Sequence, residues 1–379
     1  MRRGPFGLLL LLAAARAAAQ EPAPLFQPEQ QYSFKFKVDA LSREEWTSSI
    51  FDAPGVFHND DRWRLQGRPR LEIGINKLTL GFGLDLNYSQ DKNDQPPTQT
   101  IIRDNYRSRD ARVDLAFARW QIASGARLEG GRFEMPVALT EMLWDRDLRP
   151  QGGALTLEAH DEGARPRLGL TLLAARGSHV FDDGGVGMLL ASGAGFFGAG
   201  EPGRVEVRGS FVKFTGADKL EPRIRRQNSR LNGMVYQDYD VLDAIVRYRR
   251  DGGVPLQLVA DLCWNVSAEA TARAPGEAPR KNNRGLWLAA ALGSTRANRL
   301  RLEYTFARVD KDATVAAYAT DDFFWSTGWL GHRGDLGVKA TDHVAFHVVG
   351  QLQRFKDSAR IEERDHWVKR YRYEIRLSY

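Results

Sequence analysis

Residues 370–379 read R-Y-R-Y-E-I-R-L-S-Y. Tyr371, Tyr373, Ile375, Leu377 and Tyr379 alternate with Arg370, Arg372, Glu374, Arg376 and Ser378. Successive side chains on a β-strand point to opposite faces. The segment therefore predicts a strand with one apolar, aromatic-rich face and one ionic face. If the apolar face meets lipid, the ionic face must meet water. Placing Arg372 or Arg376 in lipid instead would cost ~2–4 kcal/mol each near the midplane.

The same alternation recurs along the chain. Tyr32, Phe34, Phe36 and Val38 share one parity, as do Trp63, Leu65, Leu71, Ile73 and Ile75. After Asn76-Lys77 it resumes with Leu78, Leu80, Phe82, Leu84, Leu86 and Tyr88. Val113, Leu115 and Phe117 follow, then Leu168, Leu170 and Leu172, and Leu256, Leu258, Leu262 and Trp264. Leu300, Leu302, Tyr304 and Phe306, and Val344, Phe346 and Val348, continue it. Period-two alternation on this scale is the β signature. It predicts sixteen strands, near 31–42, 62–75, 77–89, 110–123, 125–133, 152–160, 165–176 and 185–197, then 204–215, 238–250, 254–266, 283–294, 297–310, 332–340, 342–356 and 367–379. No stretch after the N-terminus reaches the length of a membrane-spanning helix.

Connector lengths separate a membrane barrel from a soluble sandwich. Short turns fall at Asn76, Ser124, Asp161–Ala164, Asp251–Gly253, Thr295–Arg296 and Thr341. Long polar connectors fill 47–60, 90–109, 134–151, 216–237, 267–282, 311–331 and 357–366. Transmembrane barrels alternate short periplasmic turns with long outer loops. Aromatics near strand ends (Tyr32, Trp63, Tyr88, Trp264, Trp367 and Tyr371) fit the girdles at the two lipid interfaces. The fold class expected is an all-β transmembrane antiparallel up-and-down barrel of about sixteen strands, spanning 31–379.

The remaining features fit a bacterial envelope. Residues 1–19 have a basic start, a short apolar run and small residues at Ala17 and Ala19, which predicts a secretory signal peptide followed by a short periplasmic segment, 20–30. Without Arg2, Arg3 and Arg16 the chain has 51 basic and 48 acidic residues, too balanced for a nucleic-acid partner. The single cysteine, Cys263, forms no intramolecular disulfide. The expected location is the outer membrane, in contact with lipid and lipopolysaccharide.

Sixteen strands leave room for an aqueous channel. The inward parity carries a basic wall, Arg64, Arg68 and Arg70 on one strand with Arg372 and Arg376 on the last. Lys35, Lys37, Arg112, Arg167, Arg208, Arg247, Arg249, Arg299 and Arg301 join them, against nine carboxylates including Asp39, Glu72, Asp85, Asp114, Glu206, Asp243, Asp261, Glu303 and Glu374. This surplus predicts a modest anion preference. The charges also fit pairing across the wall, which would only keep the lumen wet.

Residues 130–154 read G-G-R-F-E-M-P-V-A-L-T-E-M-L-W-D-R-D-L-R-P-Q-G-G-A. Gly131, Arg132, Phe133, Pro136, Trp144, Asp145, Asp147, Leu148 and Gly152 resemble the G-R-F-x-x-P run, W-D-x-D-L and glycine of the bacterial putative-porin family. The Ser/Arg-rich continuation of phosphate-selective porins is missing, so phosphate selectivity is not implied. The resemblance implies an inward-folded third outer loop near 134–151, with Glu134, Glu141, Asp145, Arg146, Asp147 and Arg149 lining a constriction. The same residues also fit a structural loop in which Asp145 and Asp147 cap a turn and Trp144 seals it to the wall. The terminal aromatic strand ending at Tyr379 resembles the signal read by the barrel-assembly machinery.

Catalysis and metal binding find little support. His58, His160, His179, His332, His343, His347 and His366 lie in no nucleophile motif. His343 and His347 share a face but lie about 13 Å apart on a strand, too far for one metal. The expectation is a porin without enzyme activity, metal or cofactor, passing small hydrophilic solutes, as a homotrimer or a monomer. The alternative is a non-conducting surface receptor or adhesin. For it the connector 311–331 offers Tyr318, Phe323, Phe324, Trp325 and Trp329, although these also fit an aromatic belt at the lipid headgroups.

Overall fold

The computed structural model describes residues 31–53, 56–89, 105–160, 166–181, 183–198, 203–272, 276–296, 299–358 and 360–379. The predicted signal peptide, the 20–30 segment and the Asp161–Ala164 turn lie outside the described residues. The strands are β1 (Tyr32–Ala53), β2 (Val56–Ile75), β3 (Leu78–Ser89), β4 (Asp110–Ala123), β5 (Ala126–Arg132), β6 (Gln151–His160), β7 (Pro166–Arg176), β8 (Gly187–Phe197) and β9 (Gly203–Thr215). A two-residue hairpin follows, β10 (Arg230–Leu231) and β11 (Met234–Val235). Then come β12 (Tyr239–Arg250), β13 (Leu256–Asn265), β14 (Arg284–Gly293), β15 (Leu300–Val309), β16 (Trp329–Lys339), β17 (Val344–Arg354) and β18 (Val368–Ser378).

All but β10 and β11 form one closed antiparallel barrel of sixteen strands, each paired with its sequence neighbour. The barrel closes where β18 meets β1, with Arg372 opposite Glu45 and Tyr371 opposite Trp46. Closure satisfies the strand backbone internally, which a bilayer requires. Two hydrogen bonds between Val38 and Tyr379 tie the last residue to the first strand.

The outer face carries the predicted apolar parity. Leu168 is 64% exposed, Tyr373 61% and Leu262 58%. Such a continuous apolar surface belongs in lipid rather than water. At the long-loop end Trp46 stacks on Tyr371 at 5.6 Å, and Trp63 meets Tyr88 edge-on at 5.9 Å, as a girdle would.

Two strand readings are corrected. The connector expected at 47–60 is instead a continuation of the β1–β2 hairpin, with Thr47 opposite Asp60 and Phe51 opposite Phe57. Polar residues on both faces, such as Thr47 and Ser48 or Asn59 and Asp60, hide the alternation there. On β4 the register slips against Gly83 and Leu84, leaving Asp114 as an extra residue. A bulge reverses the parity beyond it. Val113 stays outside at 43% exposure, but Leu115 and Phe117 turn inward and are buried. Gly81 permits this, since a Cβ there would lie 2.2 Å from the Phe117 ring. Arg299, expected on the inner wall, sits at positive φ in the turn before β15.

The interior is not uniformly ionic. The arc of β16–β18 and β1–β4 carries arginines and carboxylates. The inner face of β6–β9 and β12–β15 carries Leu173, Met188, Leu190, Val212, Phe214, Val241 and Ala307, all buried. They form one apolar cluster with loop residues Phe133, Met142, Leu143, Trp144, Leu148, Leu220, Ile224, Tyr318, Phe323 and Trp325. Where this cluster fills the barrel at the long-loop end, the interior is dry core.

The connector 311–331 is the second half of this plug. Tyr318, Phe323 and Trp329 are at most 1% exposed. They neither belt the lipid headgroups nor present a sticky surface, so both readings of these aromatics are corrected. The Tyr318 ring lies between Trp144 (5.5 Å, 8°) and Phe214 (5.6 Å, 6°). Gly177 leaves the space for it, because a Cβ there would sit 2.2 Å from that ring.

Candidate functional site: the narrowed lumen

The inward loop begins with a backbone feature of the motif. Gly131 has φ 114°, a conformation that L side chains rarely adopt, and a Cβ there would lie 2.3 Å from the Ala116 carbonyl oxygen. The chain then leaves β5 for the interior. Phe133, Val137, Met142, Leu143, Trp144 and Leu148 enter the apolar cluster and drive this fold. Polar side chains between them reach the walls. Thr140 bonds Asp261 on β13, and the Ala138 carbonyl accepts from Arg247 on β12 at 3.1 Å.

On the other side the loop meets the predicted basic wall. Arg68 bridges Asp147 (2.8 Å) and Asp85 (3.0 Å). Arg70 pairs with Glu134 and lies 3.6 Å from Asp114. Arg149 binds Asp114 at 3.1 Å and is only 3% exposed. Arg64 is buried, its guanidinium 4.8 Å above the Tyr106 ring. The acidic loop residues therefore pin the loop to β2 through direct ion pairs; they do not face the ladder across open water.

Asp145 does not line the lumen. It is 3% exposed and accepts hydrogen bonds from Asn105 Nδ2 (2.8 Å), Asp321 N (3.0 Å) and Asp147 N (2.7 Å). Asn105 Oδ1 in turn meets His179 Nε2 (2.8 Å) and Arg226 Nη2 (2.5 Å). This knot joins five connectors above the constriction. Burial, with Asp321 and Asp147 adding to it, pushes the Asp145 carboxyl well above its usual range. Burial would also raise Asp147, but Arg68 and Arg146 outweigh it and hold that carboxyl low.

The signs give opposite stability contributions. A raised carboxyl contributes fully below its unfolded value, about pH 4, and loses this as pH rises through the folded value. A lowered one contributes above about pH 4 and loses this as pH falls through the folded value. At pH 7, Asp145→Asn should leave thermal unfolding of the detergent-solubilised protein unchanged or raise its midpoint. Asp147→Asn should lower it, because Arg68 loses one of its two carboxylate partners and keeps only Asp85, a change of about 1 kcal/mol.

The other side of the lumen was largely missed in the sequence. Asp322, at the tip of the 311–328 connector, meets Arg372 Nη1 (2.8 Å), Arg146 Nη2 (3.0 Å), Arg333 Nη1 (3.3 Å) and Arg43 Nη2 (3.5 Å). Those arginines hold it well below the usual carboxylate range despite burial, which acts the other way. Glu45 binds Arg372 (2.6 Å) and Arg62 (2.6 Å), and Glu141 binds Arg333 (2.9 Å). Arg43, Glu45 and Arg333 share the inward parity, which is the signal that could have found them. Nothing in the local pattern places Asp322.

Of the predicted constriction residues, Arg146 is the most open, with a side chain 60% exposed to the lumen. Glu134 is 57% exposed, Asp147 29% and Glu141 17%. Arg376 pairs with Glu374 at 2.6 Å, and Arg372 is enclosed in the Asp322 network. A vestibule of about 740 Å³ fills the short-turn end, below the loop. A smaller cavity of about 220 Å³ sits between Glu141, Asp322 and Glu374. The two share Arg146, Arg301 and Arg376 in their walls.

The acidic trio Asp145, Asp147 and Asp321 could bring oxygens within 4.8 Å of one another. Asp145 and Asp321 already take backbone and amide donors, and Asp147 takes Arg68, so the geometry serves the knot.

A closed sixteen-stranded barrel with an apolar exterior, a charged lumen and a loop folded into it has the architecture of porin-type transmembrane barrels. Residues 29–185 match the model of the putative porin family, in agreement with the motif read at 131–152. Similar solved structures include OprB of Pseudomonas putida (10% identity, 91% of this chain and 94% of that one, TM-score 0.57). OmpF of Salmonella typhi in complex with daunomycin is another (14% identity, 91% and 97%, TM-score 0.53). So is an anion-selective porin from Comamonas acidovorans (10% identity, 92% and 100%, TM-score 0.52). At these identities the likeness is one of fold. A comparison with curated protein sequences finds no match.

Proposed function

We propose that this protein is an outer-membrane channel for passive diffusion of small hydrophilic solutes, with a weak preference for anions. The observation that carries the reading is the vestibule. Nine arginine and lysine side chains line it against four carboxylates, and it narrows onto Arg146, Arg301 and Arg376. A basic, low-dielectric funnel raises the local concentration of anions. Glu134, Glu141, Arg146, Asp147 and Arg149 shape the constriction, while Asp145 positions the loop from behind. The anion selectivity of the Comamonas acidovorans porin is in keeping with this assignment.

The rest of the assignment follows from the same reading. Export by the 1–19 segment, assembly through the Tyr379 strand, contact with lipopolysaccharide and association into a homotrimer are its expected corollaries. The receptor alternative loses its main support, because the aromatics it needed are interior.

Reconstitution into planar bilayers tests the proposal. In a KCl gradient the reversal potential should have the sign of chloride preference, with discrete conductance steps. A folded, heat-modifiable sample that gives no steps would reject the channel; a cation-selective potential would reject the preference alone.

A further inference from the structure

We propose that a recess in the inner wall binds small monocarboxylate anions with an apolar body, holding the carboxylate at Arg301; this rests on the channel reading above. The recess has a volume of about 170 Å³ and lies between β12–β16 and the inward loop. Its floor is Val259 on β13 with Ala289 and Ala291 on β14, all half-buried, and the Trp287 ring and Leu139 help to close it.

This floor is unusual within the barrel. Apolar inner-wall residues higher up, such as Leu190, Val212 and Ala307, are covered by the loop cluster and are at most 3% exposed. Val259, Ala289 and Ala291 are left facing the cavity. Covering apolar wall in a water column with an apolar group is favourable. An apolar cavity of ~150 Å³ accepts a benzene ring, so this recess suits a ring or a short branched chain.

The rim supplies the charge. Arg247 is held by Glu206 (2.9 Å) and the Ala138 carbonyl (3.1 Å). Arg333 is held by Glu141 (2.9 Å) and Asp322 (3.3 Å). Arg301 has one carboxylate partner, Glu303, which it meets through Nη2, and its side chain is 38% exposed on the cavity wall. A guanidinium fork matches a carboxylate. Arg301 also lines the vestibule and the upper cavity, so a solute in transit passes it. Glu141 and Glu303 on the same rim would repel a second carboxylate, which selects monoanions.

Single-channel recording in KCl with benzoate as the probe tests this. Acetate lacks the body and benzyl alcohol lacks the charge. Benzoate should half-block the current at a concentration about tenfold below acetate, roughly 1.4 kcal/mol, and benzyl alcohol should not block. Arg301→Gln, or Ala289→Asp in the floor, should bring benzoate to the level of acetate. Equal block by benzoate and acetate overturns the proposal, as does unchanged benzoate block in both variants. If either variant fails to fold, as judged by heat-modifiable gel mobility, the three-solute comparison on the unaltered protein decides. Conductance without benzoate block rejects the recess and leaves the channel standing. Absence of conductance rejects the channel; calorimetry with benzoate on detergent-solubilised protein then judges the recess, and no binding overturns it.

Discussion

Replacing Asp322 by alanine is expected to free the 311–328 connector from the barrel wall and to raise the anion-to-cation permeability ratio several-fold. One carboxylate serves Arg43, Arg146, Arg333 and Arg372, and its side chain is only 12% exposed. Its removal takes away the one carboxylate these four guanidiniums share and leaves each with a single-sided partner, Glu45 for Arg372, Glu141 for Arg333 and Arg146, and Glu374 for Arg43. Breaking a buried pair by deleting one partner costs about 3–5 kcal/mol. The barrel ladder does not depend on this carboxylate, so the loss should be local. Protease added to detergent-solubilised protein should cut within 311–328 in Asp322→Ala and spare the unaltered chain. Unchanged proteolysis together with unchanged reversal potential would show that Asp322 does not organise the lumen.

The second large effect belongs to Tyr318. Its ring is the middle of a three-ring stack running from Phe214 on the wall to Trp144 on the inward loop, and its hydroxyl donates to Asp183 at 2.8 Å. Tyr318→Ala removes the contact between the two loops and opens a cavity in the dry half of the lumen. Truncating a buried aromatic to alanine costs about 3–5 kcal/mol. The expected result is a larger, noisier single-channel conductance, as both loops lose their shared anchor. Tyr318→Phe keeps the stack and loses only the donor to Asp183, roughly 1–3 kcal/mol, so its conductance should stay steady. Equal noise in the two variants would assign the effect to the hydrogen bond rather than the stack.

The barrel was legible because alternation reports directly which side of a strand meets hydrocarbon. Trp46, Tyr371 and Leu168 face out for the same reason that Glu45, Arg370 and Arg167 do not. The strand count followed from turns such as Asn76 and Thr341. The filling of the barrel was less legible. Alternation shows that a residue points inward, but not whether water or another loop waits there. A signal for the dry sector was nevertheless present. L-T-L-L-A-A at 170–175 and G-M-L-L-A-S-G-A at 187–194 are apolar or small on both parities, as a strand covered on both faces must be. The bulge at Asp114 was invisible because it depends on pairing with Gly83 and Leu84. The role of Asp322 was hidden for a related reason: its partners come from β1, β16, β18 and the inward loop, so no local spacing announces it.

The reading of the 134–151 motif divides along the same line. Gly131, Phe133, Trp144, Asp145 and Leu148 serve the fold of the loop, as positive φ, buried rings and a buried hydrogen-bonded carboxylate. The charged side chains among them, Glu134, Arg146 and Asp147, are the ones that meet the lumen. A motif that looks like a constriction signature is here mostly the means of holding one in place.

Cysteine accessibility tests the division of the lumen most directly. In a Cys263→Ala background, Arg146→Cys places a thiol in the charged half and Leu190→Cys places one on the wall of the dry half. An anionic methanethiosulfonate reagent added to conducting channels should reduce the current of Arg146→Cys stepwise and leave Leu190→Cys untouched. Equal modification of both thiols, or modification of Leu190→Cys alone, would contradict a water path confined to the arginine-lined side.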